Sequence, residues 1–359
     1  MQIAARGVWR SIVAVWPALL ACALLLLSLA LFWPGVATYD AVTQYAQALS
    51  GRYDDWHPPI IARLWSVLDP VDLGGGPMLG LQLLGYWLGL AALTLGIDGR
   101  RAIVILAIGL FPPLLGWQGV IVKDSQMVGA LVAASGIVGL YRLRDRPVPV
   151  GAWIAVAICL GYATLIRANA VFSTVPLMLL LSRRQWSPFQ LGFALLATTT
   201  LILAVSPSIN QDIFRAADSG VRRSEPLYDL AGIATRASDG AVPGLSPSAV
   251  AALDRAHCVK PLFWDPLGET PACTNAIAPL AHRKVSDLYI ALAVAAAQHP
   301  LAYLSHRLAH LNSSARWLVP WHWPLAAPPT RSEPNHLGLR NPASPIAARS
   351  VLRRRCAPP

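Results

Sequence analysis

Long apolar stretches alternate with short polar connections through the first two hundred residues of this chain, and arginine marks every second connection. The stretches lie near 11–33, 78–97, 102–122, 125–141, 150–166, 168–182 and 188–206. A bilayer core about 30 Å thick is crossed by roughly 20 apolar residues in helical form, and backbone amides in hydrocarbon must find partners within their own segment. These constraints predict a mainly α, polytopic membrane protein with about seven spans, 168–182 being the weakest. Arg6 and Arg10, then Arg100 and Arg101, then Arg142, Arg144 and Arg146, then Arg183 and Arg184 all fall on one side. The excess of positive charge on cytoplasmic loops assigns them to the cytoplasm. Residues 34–77, the Lys123-Asp124 turn, Arg167–Asn169 and everything after Ser206 then share the extracytoplasmic face.

Composition agrees. Only 13% of residues are charged, about half the usual share in soluble domains. The net charge of +11 sits in the connections, where it reports topology, so a nucleic-acid partner is not expected. The first apolar run exceeds a secretory signal core and reads as a retained anchor. Pro112 and Pro113 predict a break in the third run, because proline removes a helical donor and clashes with the preceding turn.

Residues 207–290 are rich in Asp, Ser, Pro and Gly and read as part of a small extracytoplasmic domain, 207–327. On an oxidising side Cys258 and Cys273 are candidates for a disulfide, although spacing alone leaves the pairing open. Residues 285–312 read as helical, with His299, Tyr303, His306 and His310 at helical spacing. No acidic motif of the HExxH kind accompanies the histidines, so a polar stripe on an interfacial helix is preferred to a metal site. A crossing by 287–304 is the alternative. Residues 328–359 read as a flexible Pro/Arg-rich tail.

The topology gathers residues that are far apart in sequence. "VATYDAVTQYAQALS" has helical periodicity, with Asp40, Gln44 and Gln47 on one face and Val42, Tyr45 and Leu49 on the other. A helix N-terminus keeps Asp40 ionised, able to take a proton from a hydroxyl or to hold a metal. A plain helix cap is the simpler reading of Asp40 alone. In "DDWHPP", two prolines fix the chain beside His57, with Asp54 and Asp55 nearby. Lys123-Asp124 alone reads as a helix-end charge pair, and Arg167 as a snorkelling side chain with Asn169 beside it. Their shared face and depth favour contact with an anionic headgroup. No P-loop, GxGxxG or serine-nucleophile motif is present, which argues against a nucleotide-driven enzyme.

"PGVATYDAVTQ", "DDWHPP", "KDSQ" and "RAN" together resemble the GT-C superfamily of polytopic glycosyltransferases, over residues 1–206. The resemblance implies an inverting transfer of sugar from a polyprenyl-phosphate donor, on the outer face of a bacterial inner membrane, to a glycan, lipid or protein acceptor. It implies Asp40 as the catalytic carboxylate with His57 and Asp124 beside it, Lys123 and Arg167 for the donor phosphate, and Gln44, Asp54, Asp55 and Asn169 in support. A divalent metal (Mg or Mn) between Asp40 and Asp124 is compatible but not required. The chain departs from the pattern by lacking obvious further spans after residue 206. A lipid flippase or transporter predicts polar residues deep in the spans or an inverted repeat, and neither is visible. A non-enzymatic envelope-assembly protein needs no clustered carboxylates.

Overall fold

The computed structural model describes residues 2–97, 99–182, 185–238, 242–260, 267–268, 270–315, 317–320 and 327–343, with only the backbone for 2–14. It divides into two units, Met1–Ala217 with Ala327–Pro359, and Asp218–Ala326. The expected borders at 206 and 327 therefore shift to 217 and 326.

The first unit opens with α1 (Gln2–Phe32), β1 (Val36–Ala37), α2 (Tyr39–Ser50), α3 (Ile60–Leu68) and α4 (Gly76–Thr94). It continues with α5 (Gly99–Gly109), α6 (Pro112–Gln118), β2 (Val120–Ile121) and α7 (Lys123–Arg142). Next come α8 (Val150–Ile166), α9 (Val171–Leu181) and α10 (Pro188–Ser208). Each expected apolar stretch is thus mainly helical, with 102–122 broken at residues 110–111 and ending in β2. Among the described residues three helical segments are long and apolar enough to cross a membrane, Val15–Phe32, Gly76–Thr94 and Pro188–Ile213, or up to five if each of two bent pairs is one span. None of the residues of α10 is buried; Phe189, Phe193 and Leu196 are among its exposed side chains. Ala194, Leu195 and Ile202 pack against Val171, Val175 and Leu179 of α9, and the apolar side chains on the rest of the helix face outwards, as they would towards lipid.

The predicted proline break is present: α5 and α6 meet at 62°. Pro113 has no N–H to offer the Gly109 carbonyl one turn earlier. The Tyr86 hydroxyl donates to that carbonyl instead, at 2.9 Å. Nearby, Trp87 Nε1 donates to Ser28 Oγ at 3.0 Å, which ties α4 to α1. Around them Ala21, Leu25, Leu79, Leu83, Leu90 and Leu106 make one apolar core.

Against α7, α4 presents Gly85 and Gly89 four residues apart, and the two backbones touch. A Cβ on Gly136 would lie 2.2 Å from the Gly89 carbonyl oxygen, and one on Gly129 would lie 2.7 Å from that of Gln82. Small residues permit this approach, which membrane helices use in place of a hydrophobic driving force.

The second unit contains α11 (Val221–Ala234), α12 (Pro247–Arg255), α13 (Pro271–Ala281), α14 (Val285–Gln298) and α15 (Pro300–Ala315). Cys258 and Cys273 form a disulfide across 15 residues, a closure worth about 3 kcal/mol by loop entropy. The single helix expected over 285–312 is two helices meeting at 109°. The break falls at His299-Pro300, where proline lacks the donor that would continue the helix. The expected surface stripe is also corrected: His306 is fully buried, because it pairs with Asp229 of α11 at 3.1 Å.

The tail expected to be flexible is fixed over its described part. Ser332 Oγ accepts from Ala37 N–H at 3.0 Å, Glu333 N–H donates to the Ala37 carbonyl at 2.9 Å, and Leu339 is buried beside Trp65 and Ile121. Arg183, Arg184 and the "RRRC" end with Cys356 lie outside the described residues, as do the side chains of Arg6 and Arg10.

Because only backbone atoms oppose a side chain on Gly136, Gly136→Leu should force α7 off α4 and cost at least about 1–3 kcal/mol. Thermal unfolding of the detergent-solubilised protein measures this, with Gly161→Leu, where a Cβ meets nothing within 4 Å, as the unaffected control.

Candidate functional site

β1 and β2 pair in parallel, Val36 opposite Val120 and Ala37 opposite Ile121. Each strand runs directly into a helix, β1 into α2 and β2 into α7, so the pairing sets two helix N-termini side by side. Asp40 stands in the first turn of α2 and Lys123 opens α7. The Thr38 side chain caps α2 by accepting from Ala41 N–H at 3.4 Å. β2 is held from below by buried glutamines. Gln82 donates to the carbonyls of Gln118 and Val120 at 2.6 and 3.0 Å. Gln126 donates to Met78 O and Gln82 Oε1, and Tyr162 donates to Gln126 Oε1 at 3.2 Å.

On this frame three expected residues converge. Lys123 Nζ lies 3.0 Å from Asp40 Oδ2 and 3.0 Å from His57 Nδ1. His57 Nε2 lies 3.8 Å from Asp40 Oδ1. A lysine ammonium can only donate, so His57 Nδ1 accepts and the imidazole proton sits on Nε2, towards Asp40. His57 is buried, and burial, with Lys123 next in weight, holds its pKa below the ordinary histidine value against the pull of Asp40 and Asp54. It is therefore neutral near pH 7.

Lys123 and Asp124 do not pair with each other. Asp124 forms its ion pair with Arg167 at the end of α8. Arg167 and Asp124 are 40% and 54% exposed, so that pair contributes on the order of 1 kcal/mol or less, whereas Asp40, 42% exposed, meets a Lys123 that is only 16% exposed. In each pair the carboxylate is the more exposed partner, and an anionic ligand could compete for the cation. A divalent ion shared by Asp40 and Asp124 would have to displace Lys123 and Arg167. Among the described residues no three His, Cys, Asp or Glu side chains gather as a metal shell.

The supporting residues separate into different tasks. Asp54 Oδ1 accepts from Trp56 N–H at 3.1 Å, and its backbone bridges to Ala217. Asp55 Oδ2 accepts from Gln211 at 3.4 Å. Both hold the His57 loop rather than joining Asp40. Asn169 is exposed on a short 3-10 turn. Gln44 is buried one turn after Asp40, with its Nε2 unpaired. The expected division of α2 is partly wrong: Leu49 is exposed, but Tyr45 is buried on the side of Gln44. Tyr45 turns inward because its hydroxyl donates to Asp69 at 2.8 Å and its ring packs on Trp65.

Three residues of the frame had a signal that was passed over. Gln82, Gln118 and Gln126 are polar residues inside or bordering apolar runs, where an amide must have a specific partner. Asp69 and Asp229 had none, since their partners are distant in sequence.

No protein-family model, curated protein or solved structure matches this chain.

A neutral, buried His57 makes the site acid-sensitive. Its folded pKa is lowered, so the unfolded chain binds the proton more readily. This contribution to stability is complete above about pH 6.5 and is lost as pH falls through the lowered folded value. His57→Asn supplies a non-titrating acceptor for Lys123 and should flatten this part of the profile. Melting temperatures of both proteins between about pH 4 and 8 test it; parallel profiles would show that His57 does not contribute.

Proposed function

We propose that this chain is a polytopic membrane glycosyltransferase of GT-C type. It transfers a sugar from a polyprenyl-phosphate donor to an acceptor hydroxyl, with inversion. In this reading the seven apolar stretches all cross a bacterial inner membrane, and the connections bearing Asp40, Lys123 and Arg167 face outwards. The observation that carries the reading is the half-exposed Asp40 carboxylate held against Lys123, whose other partner is a neutral, buried imidazole.

The chemistry follows from those three groups. Donor phosphate engages Lys123 and Arg167, releasing Asp40 and Asp124 from their ion pairs. Freed from Lys123, Asp40 accepts the proton of the acceptor hydroxyl as its oxygen attacks the anomeric carbon. The bond from that carbon to the phosphate oxygen breaks, and the departing lipid phosphate keeps the electron pair beside two cations. His57 is a positioning residue: it is too buried to touch substrate, and it aims Lys123. An apolar groove of about 840 Å³, lined by α3, α4, α7 and α8, offers room for a lipid chain. The same groove supports a second reading, a lipid flippase, in which Asp40 performs no bond chemistry.

Asp40→Asn keeps the shape and removes the base. Transfer of labelled sugar from a polyprenyl-phosphate donor should fall about 10²–10⁴-fold with the protein folded and inserted. Undiminished transfer would refute the assignment of Asp40. Intact lipid translocation, with no transfer by the parent protein, would favour the flippase. Lys123→Arg should retain more activity than Lys123→Met, compared by kcat/KM.

A further inference from the structure

The second unit gathers a set of polar side chains, some buried and some exposed, that its disulfide and apolar core do not need. α11 supplies Glu225, Tyr228 and Asp229; α15 supplies His306, Arg307 and His310. Asp229 is 1% exposed and His306 0%. His306 Nδ1 faces Arg236 Nη1 at 3.3 Å. Arginine can only donate, so His306 carries its proton on Nε2 and gives it to Asp229 Oδ1 at 3.1 Å. Arg307 Nη1 donates to the same oxygen at 3.1 Å, and Nη2 donates to Glu225 Oε1 at 3.1 Å. Gly232 makes the arrangement sterically possible, since a Cβ there would lie 2.3 Å from the His306 ring.

Two donors therefore converge on Oδ1 while Oδ2, equally buried, has no partner among the described residues. His310 Nε2 is in the same condition. Both residues line one cavity of about 370 Å³, together with Val221, Ser224, Glu225, Tyr228 and Arg307. A carboxylate oriented by a histidine and an arginine, with its second oxygen buried and unpaired in a residue that lines a cavity, gains from a donor that enters there.

The wall limits what that donor belongs to. Asp229 and Glu225 are matched by Arg307 and by Arg236 beside His306, so the surroundings are close to neutral and give an ion no advantage. The open carboxylate oxygen requires an O–H or N–H. The same cavity is lined by His310, Ser224 and Arg307, which offer complementary contacts. The Tyr228 and His310 rings, 5.0 Å apart and edge to face, present carbon surface beside these polar groups. Alternating hydroxyls on a saturated ring, with C–H faces between them, match this wall, and the volume is at the small end of ligand pockets.

We propose that the second unit binds one neutral sugar residue in this cavity, with a sugar hydroxyl donating to Asp229 Oδ2 and a second hydroxyl meeting His310 Nε2. The site is independent of the transfer chemistry assigned to Asp40 and would hold a sugar whether or not that assignment stands.

The test uses the full-length chain in nanodiscs, titrated with glucose, galactose, mannose, N-acetylglucosamine and arabinose, and separately with ethanolamine. Saturation-transfer NMR reads binding. At least one sugar should bind saturably, and Asp229→Asn and Ser224→Trp should each weaken it by about tenfold or more. Ser224→Trp fills the cavity without touching Asp229 and is checked for an unchanged melting temperature, so loss of binding there is not loss of fold. Absence of saturable sugar binding overturns the proposal, as does sugar binding unchanged in a folded Ser224→Trp protein. Ethanolamine binding in place of sugar also overturns it. Asp40→Asn should bind the sugar as the parent does.

Discussion

Two residues of parallel strand pairing, Val36–Ala37 against Val120–Ile121, decide where the charged side chains of the first unit can be. Asp40 and Lys123 are 83 residues apart in sequence, yet each sits within three residues of a paired strand residue. The pairing is short, and two strand residues in isolation would not hold. It persists because its outer surroundings are complete: Gln82 takes the carbonyls beneath β2, and Ser332 and Glu333 take the free edge of β1. The glycine seam between α4 and α7 belongs to the same construction, since it brings Gln82 and Gln126 within reach of one another. Packing and backbone bonding thus position the charges, and the charges are not needed to hold the packing.

That separation explains why the ion pairs can be chemically useful. In the Asp40–Lys123 pair the carboxylate is half-exposed and the lysine largely buried, so a substrate phosphate can take the place of Asp40 beside the lysine while water takes up the freed carboxylate. His57 is the opposite case. It is buried and neutral, and its accepting nitrogen keeps Lys123 aimed when Asp40 lets go. In the second unit the balance is reversed: Asp229 and His306 are both inaccessible, and breaking their pair would leave a buried charge without compensation.

The alternation of apolar stretches with arginine made the helices legible, along with the break at Pro112-Pro113 and the convergence of Asp40, His57 and Lys123. Periodicity and charge placement are local properties, and these features depend on them. What stayed hidden depends on partners remote in sequence. The inward turn of Tyr45 needs Asp69; the burial of His306 needs Asp229, which lies 77 positions earlier. The return of residues 332–339 to β1 needs an open strand edge that only the folded chain provides. Lys123-Asp124 is the most instructive case. Adjacent opposite charges invite a local pairing, but consecutive residues at the start of a helix point about 100° apart, so each turns to a different neighbour.

The same geometric reasoning separates polar groups that hold structure from those free to act. Gln82 Nε2 has two carbonyl partners and Gln126 Nε2 has a carbonyl and an amide oxygen; nothing further can be asked of those nitrogens. Asp229 Oδ1 is likewise fully engaged, while Oδ2 of the same carboxylate is buried and unpaired. A buried atom left open is costly, and the cost is borne here beside a cavity rather than within sealed packing. Asp40 shows the exposed version: its present partner is a cation that a phosphate would also attract. In both units the chemistry is expected where a rigidly positioned carboxylate retains an oxygen that the fold itself does not require.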